Sequence, residues 1–354
     1  MAAFIAFEHR NRRVFRRHRV FRDRTHPLEV LDDREVFTRF RFPRHFILEL
    51  TDEICDDIEF PVRRQGALTP VLQVLLTLRF YATGTLQNVI GDLFGVTQST
   101  ASRTISRVTD ALLAHVGEWI VMPNQEKADR NKVDFFDMQG FPNVVGCVDG
   151  TQIRIQAPFF QEHEFVNRKN FHSINVQVIC DADLKFINVI ARWPGSVHDA
   201  RILRESPLFD SFESNAPPLD GIILGDSGYM LRTWLMTPVQ NPETRQETGY
   251  NFAHSSTRTT VERSIGVAKQ RWQCLRYGLR LQPRKACRVI PVCFMLHNRA
   301  RHLNLPLPPD EGPDYFDDDD GDAPIPCEGQ MNITERARAA AGKAARARII
   351  NNCF

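Results

Sequence analysis

Val144-Val145-Gly146-Cys147-Val148-Asp149-Gly150 sets the fold, because a short apolar run rich in β-branched residues ends in a carboxylate and a glycine. The run predicts a buried strand over Val144–Val148. Gln152–Gln156 would pair back on it as a hairpin around Asp149-Gly150. A second segment has the same design: Ile222-Ile223-Leu224-Gly225 leads into Asp226-Ser227-Gly228-Tyr229. A third acid, Glu262, lies in Thr257–Gln273, a stretch of helical periodicity interrupted only by Gly266. Two carboxylates at strand ends and one on a helix are what a two-metal phosphodiester-cutting site requires. Hard divalent cations take oxygen ligands, and bridging carboxylates hold the pair about 3.5–4 Å apart.

Between these segments, Ile174–Cys180 and Phe186–Ala191 read as a second hairpin turning at Asp181-Ala182-Asp183. A short helix is expected over His198–Glu205, another near Met230–Trp234, and a last strand at Leu235–Val239. Gln240–Ser256 reads as a polar loop before the long helices Thr257–Gln273 and Pro283–Arg301. Strands followed by long helices, with acids at the ends of the first and fourth strands, predict an α/β fold. Its layout is ribonuclease H-like, a mixed sheet flanked by helices over residues 140–302.

Upstream, residues 28–120 read as all-α. Thr69-Pro70 supplies a cap and a first-turn proline, and Gly84 ends that helix. After Leu86, Ile90, Leu93 and the Gly95 turn, Thr97 caps a helix with Ala101, Ile105, Val108 and Leu112 on one face. Helix, glycine turn, helix over about 69–115 is the helix-turn-helix pattern, and it equally describes a plain helical hairpin. On the first alternative Gln98, Ser99, Thr100, Ser102, Arg103 and Arg107 face outward, toward base edges and phosphates.

Bulk properties set limits. The 354 residues are 42% hydrophobic and 25% charged, with net charge +2, so overall charge names no partner. Its distribution says more. Residues 1–27 hold Arg10, Arg12, Arg13, Arg16, Arg17, Arg19, Arg22 and Arg24, a basic arm suited to nucleic acid or nuclear import. Residues 303–354 form an acidic tail with Asp317-Asp318-Asp319-Asp320, then an Ala- and Arg-rich stretch at 334–349 that favours a helix. Eight scattered cysteines without a CxxC pair argue for a reduced, intracellular protein and against a zinc finger. No secretory signal or membrane span is expected.

Five motifs together resemble the PIF/Harbinger transposases, and in particular their domesticated nuclease relatives in animals. These are Val148-Asp149-Gly150-Thr151, Pro194-Gly195-Ser196-Val197-His198-Asp199, Gly225-Asp226-Ser227-Gly228-Tyr229, Arg258 to Gly266, and Leu296-His297-Asn298. The resemblance implies a DDE superfamily endonuclease with Asp149, Asp226 and Glu262 as catalytic acids and ligands of Mg²⁺ or Mn²⁺. Asp149 would bridge two ions, one activating the attacking water and the other stabilising the departing 3′ oxygen. Arg258, Glu262 and Lys269 reproduce the R(3)E(6)K spacing of related transposases, whose basic residues hold DNA phosphates. The tyrosine some relatives carry before the arginine is replaced by Ser255. Val261, Ile265, Ala268 and Trp272 should face the sheet.

Asp199 is either a fourth metal ligand or the N-cap of the helix beginning there. Trp193 and His297 read better as core residues, and His163 and His172 lack zinc-ligand spacing. The implied function is metal-dependent cleavage of DNA. The alternative is a catalytically idle DNA-binding or scaffolding protein acting through the helix-turn-helix and the arm. A phosphohydrolase built on His198-Asp199 would need further converging histidines, which the sequence does not offer. The family resemblance also implies a Myb-like DNA-binding partner protein. With the basic arm, it implies a nuclear location with a cytoplasmic pool.

Overall fold

The computed structural model describes residues 26–60, 67–214, 216–308 and 333–354. Most of the basic arm and the whole aspartate tract lie outside these residues. The N-terminal part contains helices α1 (Asp33–Phe40), α2 (Arg44–Glu53), α3 (Pro70–Thr83), α4 (Gln87–Leu93), α5 (Gln98–Ala114) and α6 (Gln125–Gln139). Local chemistry explains their ends. Asp32 and Glu35 form a reciprocal capping box on α1, and Thr69 and Thr97 accept the N–H of Leu72 and Thr100. Gly84 closes α3 in the left-handed region at φ 63°. The expected apolar face of α5, from Ala101 to Leu112, is buried.

Five strands follow: β1 (Val144–Arg154), β2 (Ser173–Cys180), β3 (Phe186–Pro194), β4 (Ile222–Leu224) and β5 (Leu235–Met236). Their order is β3-β2-β1-β4-β5. β1–β2 and β2–β3 are antiparallel, whereas β4 and β5 run parallel to β1, making the sheet mixed. Helices α7 (Asp199–Arg204), α8 (Pro207–Phe212), α9 (Arg245–Arg271), α10 (Gln273–Tyr277), α11 (Pro283–His302) and α12 (Ile333–Cys353) complete the described chain.

Three expectations are corrected, and one helix is new. β1 is one strand, not a hairpin: Asp149 pairs Val178 and Gly150 pairs Gln177 in an unbroken antiparallel ladder. Dense β-branched residues on both sides carry the strand through the glycine. Met230–Trp234 is irregular, because Arg232 N–H turns back to the Leu235 carbonyl. The long helix begins at Arg245, not Thr257, since Thr244 and Glu247 build a capping box inside the expected loop. The new element is α6, which no expectation covered. Its Ala128, Asn131 and Phe135 are buried, and Asn131 donates to the Val145 carbonyl.

The sheet is covered on both faces. Val261, Ile265, Ala268 and Trp272 are buried as expected and join a core containing Cys147, Val178, Leu224 and the α11 residues Val289 and Phe294. Val145, Val148, Ile223 and Leu235 face the other way, onto Leu208, Phe209 and Trp234. The first core does not stop at the sheet. Trp272 is fully buried, with ring centroids 5.7 Å from Phe42 and 6.3 Å from Tyr81, so the helical region and the sheet share one interior. No described helix is long and apolar enough to cross a membrane.

Two histidines are built into this interior. His254 Nε2 donates to the Met236 carbonyl at 3.0 Å, and His297 Nε2 donates to the Leu184 carbonyl at 2.8 Å. Burial lowers their pKa to about 4 and about 3, so both rings are neutral in the folded chain. The unfolded chain protonates them near pH 6.5, so it binds more protons as pH falls. Stability is therefore full above about pH 6.5 and should fall as pH drops toward 4, with roughly 3 kcal/mol lost through His254 alone. Melting temperature measured across that window tests this. His254→Gln with His297→Gln should flatten the slope, and an unchanged slope would refute the assignment.

Candidate active site

Asp149 stands in the middle of β1, 5% exposed, with its backbone fixed by Val178. Its Oδ1 accepts from the Gly150 N–H at 2.9 Å, and its Oδ2 accepts from Arg258 Nη1 at 3.2 Å. Arg258 also donates through Nη2 to Glu262 one turn on along α9, forming a charged bridge between strand and helix. Asp226 follows β4, which is hydrogen-bonded beside β1, and its Oδ1 accepts from Gly228 N–H at 3.0 Å. Burial opposes the charge on Arg258, yet Asp149, Glu262 and Asp226 together hold its pKa above the ordinary value. Acids from three separate elements thus act on one guanidinium.

Asp199 belongs to the same place. A Cβ added at Gly150 would fall within the Asp199 carboxylate, so the absence of a side chain there lets that acid approach β1. Its helix, α7, is N-capped by His198 without a side-chain bond, and the Asp199 carboxylate turns instead to Asn175 Nδ2 at 2.6 Å. The N-cap position is held by His198 and not by Asp199. Beneath the aspartates lies Tyr229, fully buried, whose hydroxyl accepts from Gln177 Nε2 at 3.0 Å. Burial, then Asp199, Asp149 and Asp226, push the phenol far above its usual pKa, so it is neutral at any physiological pH. Asn175 and Gln177 were absent from the sequence expectations. Two amides at alternate positions of an otherwise apolar strand were the signal, since both must point to one face.

Other expected residues lie elsewhere. Lys269 shares a side of α9 with Arg258 and Glu262, but it is 9% exposed, not open to solvent. Gln98, Ser99 and Arg103 are exposed on α5, while Arg107 is half-buried, bonded to Gln73 Oε1 at 3.3 Å and stacked on Phe60. Ser102, Arg103, Ser106 and Arg107 line an open groove of about 590 Å³ with Lys285 of α11. His297 is a core residue as expected, and Asn298 satisfies both backbone groups of Phe186. Trp193 is half-buried between Arg192 and Arg201, which makes it less a core residue than expected.

The donor set is suited to a hard cation, because Asp149, Asp199, Asp226 and Glu262 offer only oxygen. The Arg258 guanidinium already stands as a cation between two of them. The four acids do not form a tight trio. Among the described residues the one group of three His, Cys, Asp or Glu ligand atoms within 4.8 Å is Glu53, His115 and Glu118, in the helical region. Gly150→Ala should displace Asp199 and lower metal-dependent strand cleavage roughly 10²-fold with little change in melting temperature. Unaltered cleavage would remove Asp199 from the site.

Residues 148–298 match the family described as DDE superfamily endonuclease. The chain is 36% identical over 275 residues to the protein named "Putative nuclease HARBI1" from Rattus norvegicus, covering 77% of this chain and 78% of that one. The chain belongs to the Harbinger transposase-derived nuclease family. The Homo sapiens HARBI1 protein matches at the same identity and coverage. "Protein ALP1-like" from Arabidopsis thaliana is 31% identical over 243 residues, 64% of this chain and 59% of that one. No solved structure gives a significant match. The matched Harbinger segment begins one residue before Asp149 and contains all four acids.

Proposed function

We propose that this chain is a metal-dependent DNA endonuclease with Asp149, Asp226 and Glu262 as its catalytic acids and Asp199 as a further ligand. One observation carries the proposal: Asp149 on a strand and Glu262 on a helix are both bonded to Arg258, and Asp226 directly follows β4, the strand paired beside β1. Those acids would hold Mg²⁺ or Mn²⁺, which when bound supplies an activated water and neutralises charge at the scissile phosphate. The chain's own residues do the rest. Arg258 leaves the carboxylates as cations and substrate enter, and its fork takes a phosphate oxygen. Asn175 fixes the rotamer of Asp199. The neutral Tyr229 phenol closes the floor of the site without adding charge.

We read the strand order and the two parallel additions at β4 and β5 as ribonuclease H-like. We read α4 and α5 as a helix-turn-helix whose Gln98, Ser99, Arg103 and Arg107 contact DNA, with Lys269 as a supporting charge beneath the surface. Nuclear residence and a Myb-like partner complete the proposal by family analogy.

The test is nicking of supercoiled plasmid by the full-length protein with Mg²⁺ or Mn²⁺, against EDTA and against Glu262→Gln. Cleavage requiring both metal and Glu262 supports the proposal. DNA binding without cleavage, repeated with a Myb-like partner added, would overturn it in favour of a binding scaffold.

A further inference from the structure

Immediately after β1 the chain exposes two adjacent phenylalanines, Phe159 at 83% and Phe160 at 85%. Isolated surface apolar residues need no explanation, but neighbouring aromatic rings so fully in water are costly. They are not on a loose loop. Before them, Ile155 bridges Leu279, Gln156 N–H donates to the Leu281 carbonyl, and Gln282 Nε2 donates to the Ala157 carbonyl at 3.3 Å. Behind them, Gln161 adopts the left-handed conformation at φ 52° and starts a single 3₁₀ turn, Glu162–Phe165. Glu162 is turned to His172 at 2.9 Å, and the Glu164 carbonyl accepts from Ser196 N–H. The rings are held out from both sides.

The position of this tip is informative. The turn behind it abuts Gly195–His198, the segment leading into Asp199, and Arg168 hydrogen-bonds His198 Nδ1 at 2.7 Å. On the other side, the bonds to Leu281 and Gln282 bring exposed Arg280, Arg284 and Lys285 alongside. Lys285 in turn lines the groove with Arg103 and Arg107 of α5. Arg103, Arg107 and Lys285 share that groove with Asp57 and Asp110, and exposed Arg280 and Arg284 continue the basic side chains toward the tip, whose turn touches the segment leading into Asp199.

We propose that Phe159 and Phe160 are a base-stacking element, lying against bases of DNA at the Asp149 site while Arg280 and Arg284 hold the flanking phosphates. Aromatic faces beside cations are the chemistry that receives unstacked bases, and a wedge of this kind opens a duplex step. The inference rests on the DNA reading of the site. It adds a substrate requirement, that the duplex be distorted at the point of cleavage.

The experiment is anisotropy of a short fluorescein-labelled duplex with full-length protein in EDTA, over a salt series, for wild type, Phe159→Ser with Phe160→Ser, and Arg280→Ala with Arg284→Ala. The phenylalanine variant should bind roughly ten- to a hundredfold more weakly with an unchanged salt slope, because no cation is lost. The arginine variant should reduce the slope. Wild-type affinity in the phenylalanine variant would overturn the proposal even where plasmid nicking is intact. Phenylalanine-dependent binding by a wild type that never nicks would uphold the proposal while the nuclease reading fails. A change in the variant's oligomeric state by light scattering, with DNA affinity retained, would assign the tip to contact between copies and also overturn it.

Discussion

Asp149→Asn should lower metal-dependent plasmid nicking roughly 10³-fold or more, because a catalytic cation site is worth several kcal/mol of barrier and each 1.4 kcal/mol is tenfold. The substitution keeps the shape of a residue that is 5% exposed and removes only its charge. Arg258 retains Glu262 as a partner, so the fold should survive with a melting temperature close to wild type. A second readout separates chemistry from folding. Mn²⁺ that binds the folded chain raises the melting temperature by mass action, and that rise should shrink in Asp149→Asn. Equal nicking by the variant would exclude Asp149 from catalysis. Equal metal stabilisation with lost nicking would make it a substrate-positioning group.

Trp272→Ala should be the most damaging single change to stability, costing about 3–5 kcal/mol through lost burial and the cavity left behind. At about 1.6 °C per kcal/mol for a chain of this size, the melting temperature should fall by roughly 5–8 °C. The ring is wholly buried between α9, Phe42 and Tyr81. Its removal should lower one cooperative transition seen both by tryptophan fluorescence and by far-ultraviolet circular dichroism. Two separated transitions would show instead that the helical region and the sheet unfold independently.

Much of this arrangement was legible from local chemistry. Thr69, Gly84 and Thr97 announce helix ends because caps act within one turn, and their signals are not overridden by distant contacts. Val261, Ile265 and Ala268 announce a buried face for the same short-range reason. The errors have physical causes. Asp149-Gly150 has turn composition, but pairing with Val178 and Gln177 outweighs it, and a strand partner is invisible to a local window. The first twelve residues of α9 are mostly polar and include Gly249, so their helix depends on the Thr244–Glu247 box and on Tyr250 and His254 packing inward. The acids themselves were readable as a set, whereas Arg258's place between them was not, because its bridge to Asp149 spans 109 residues. Asn175 and Gln177 became meaningful only once Asp199 and Tyr229 stood beside them.

Because α3, Trp272 and the sheet are packed into a single interior, the surface of α5 and Asp149 of β1 cannot swing relative to one another as tethered modules do. On the DNA reading proposed above, the distance along a strand between nucleotides at α5 and the bond at Asp149 would then be a property of the protein, as fixed as graduations on a ruler. Lengthening a loop would not alter that offset; only repacking the interior around Trp272 would.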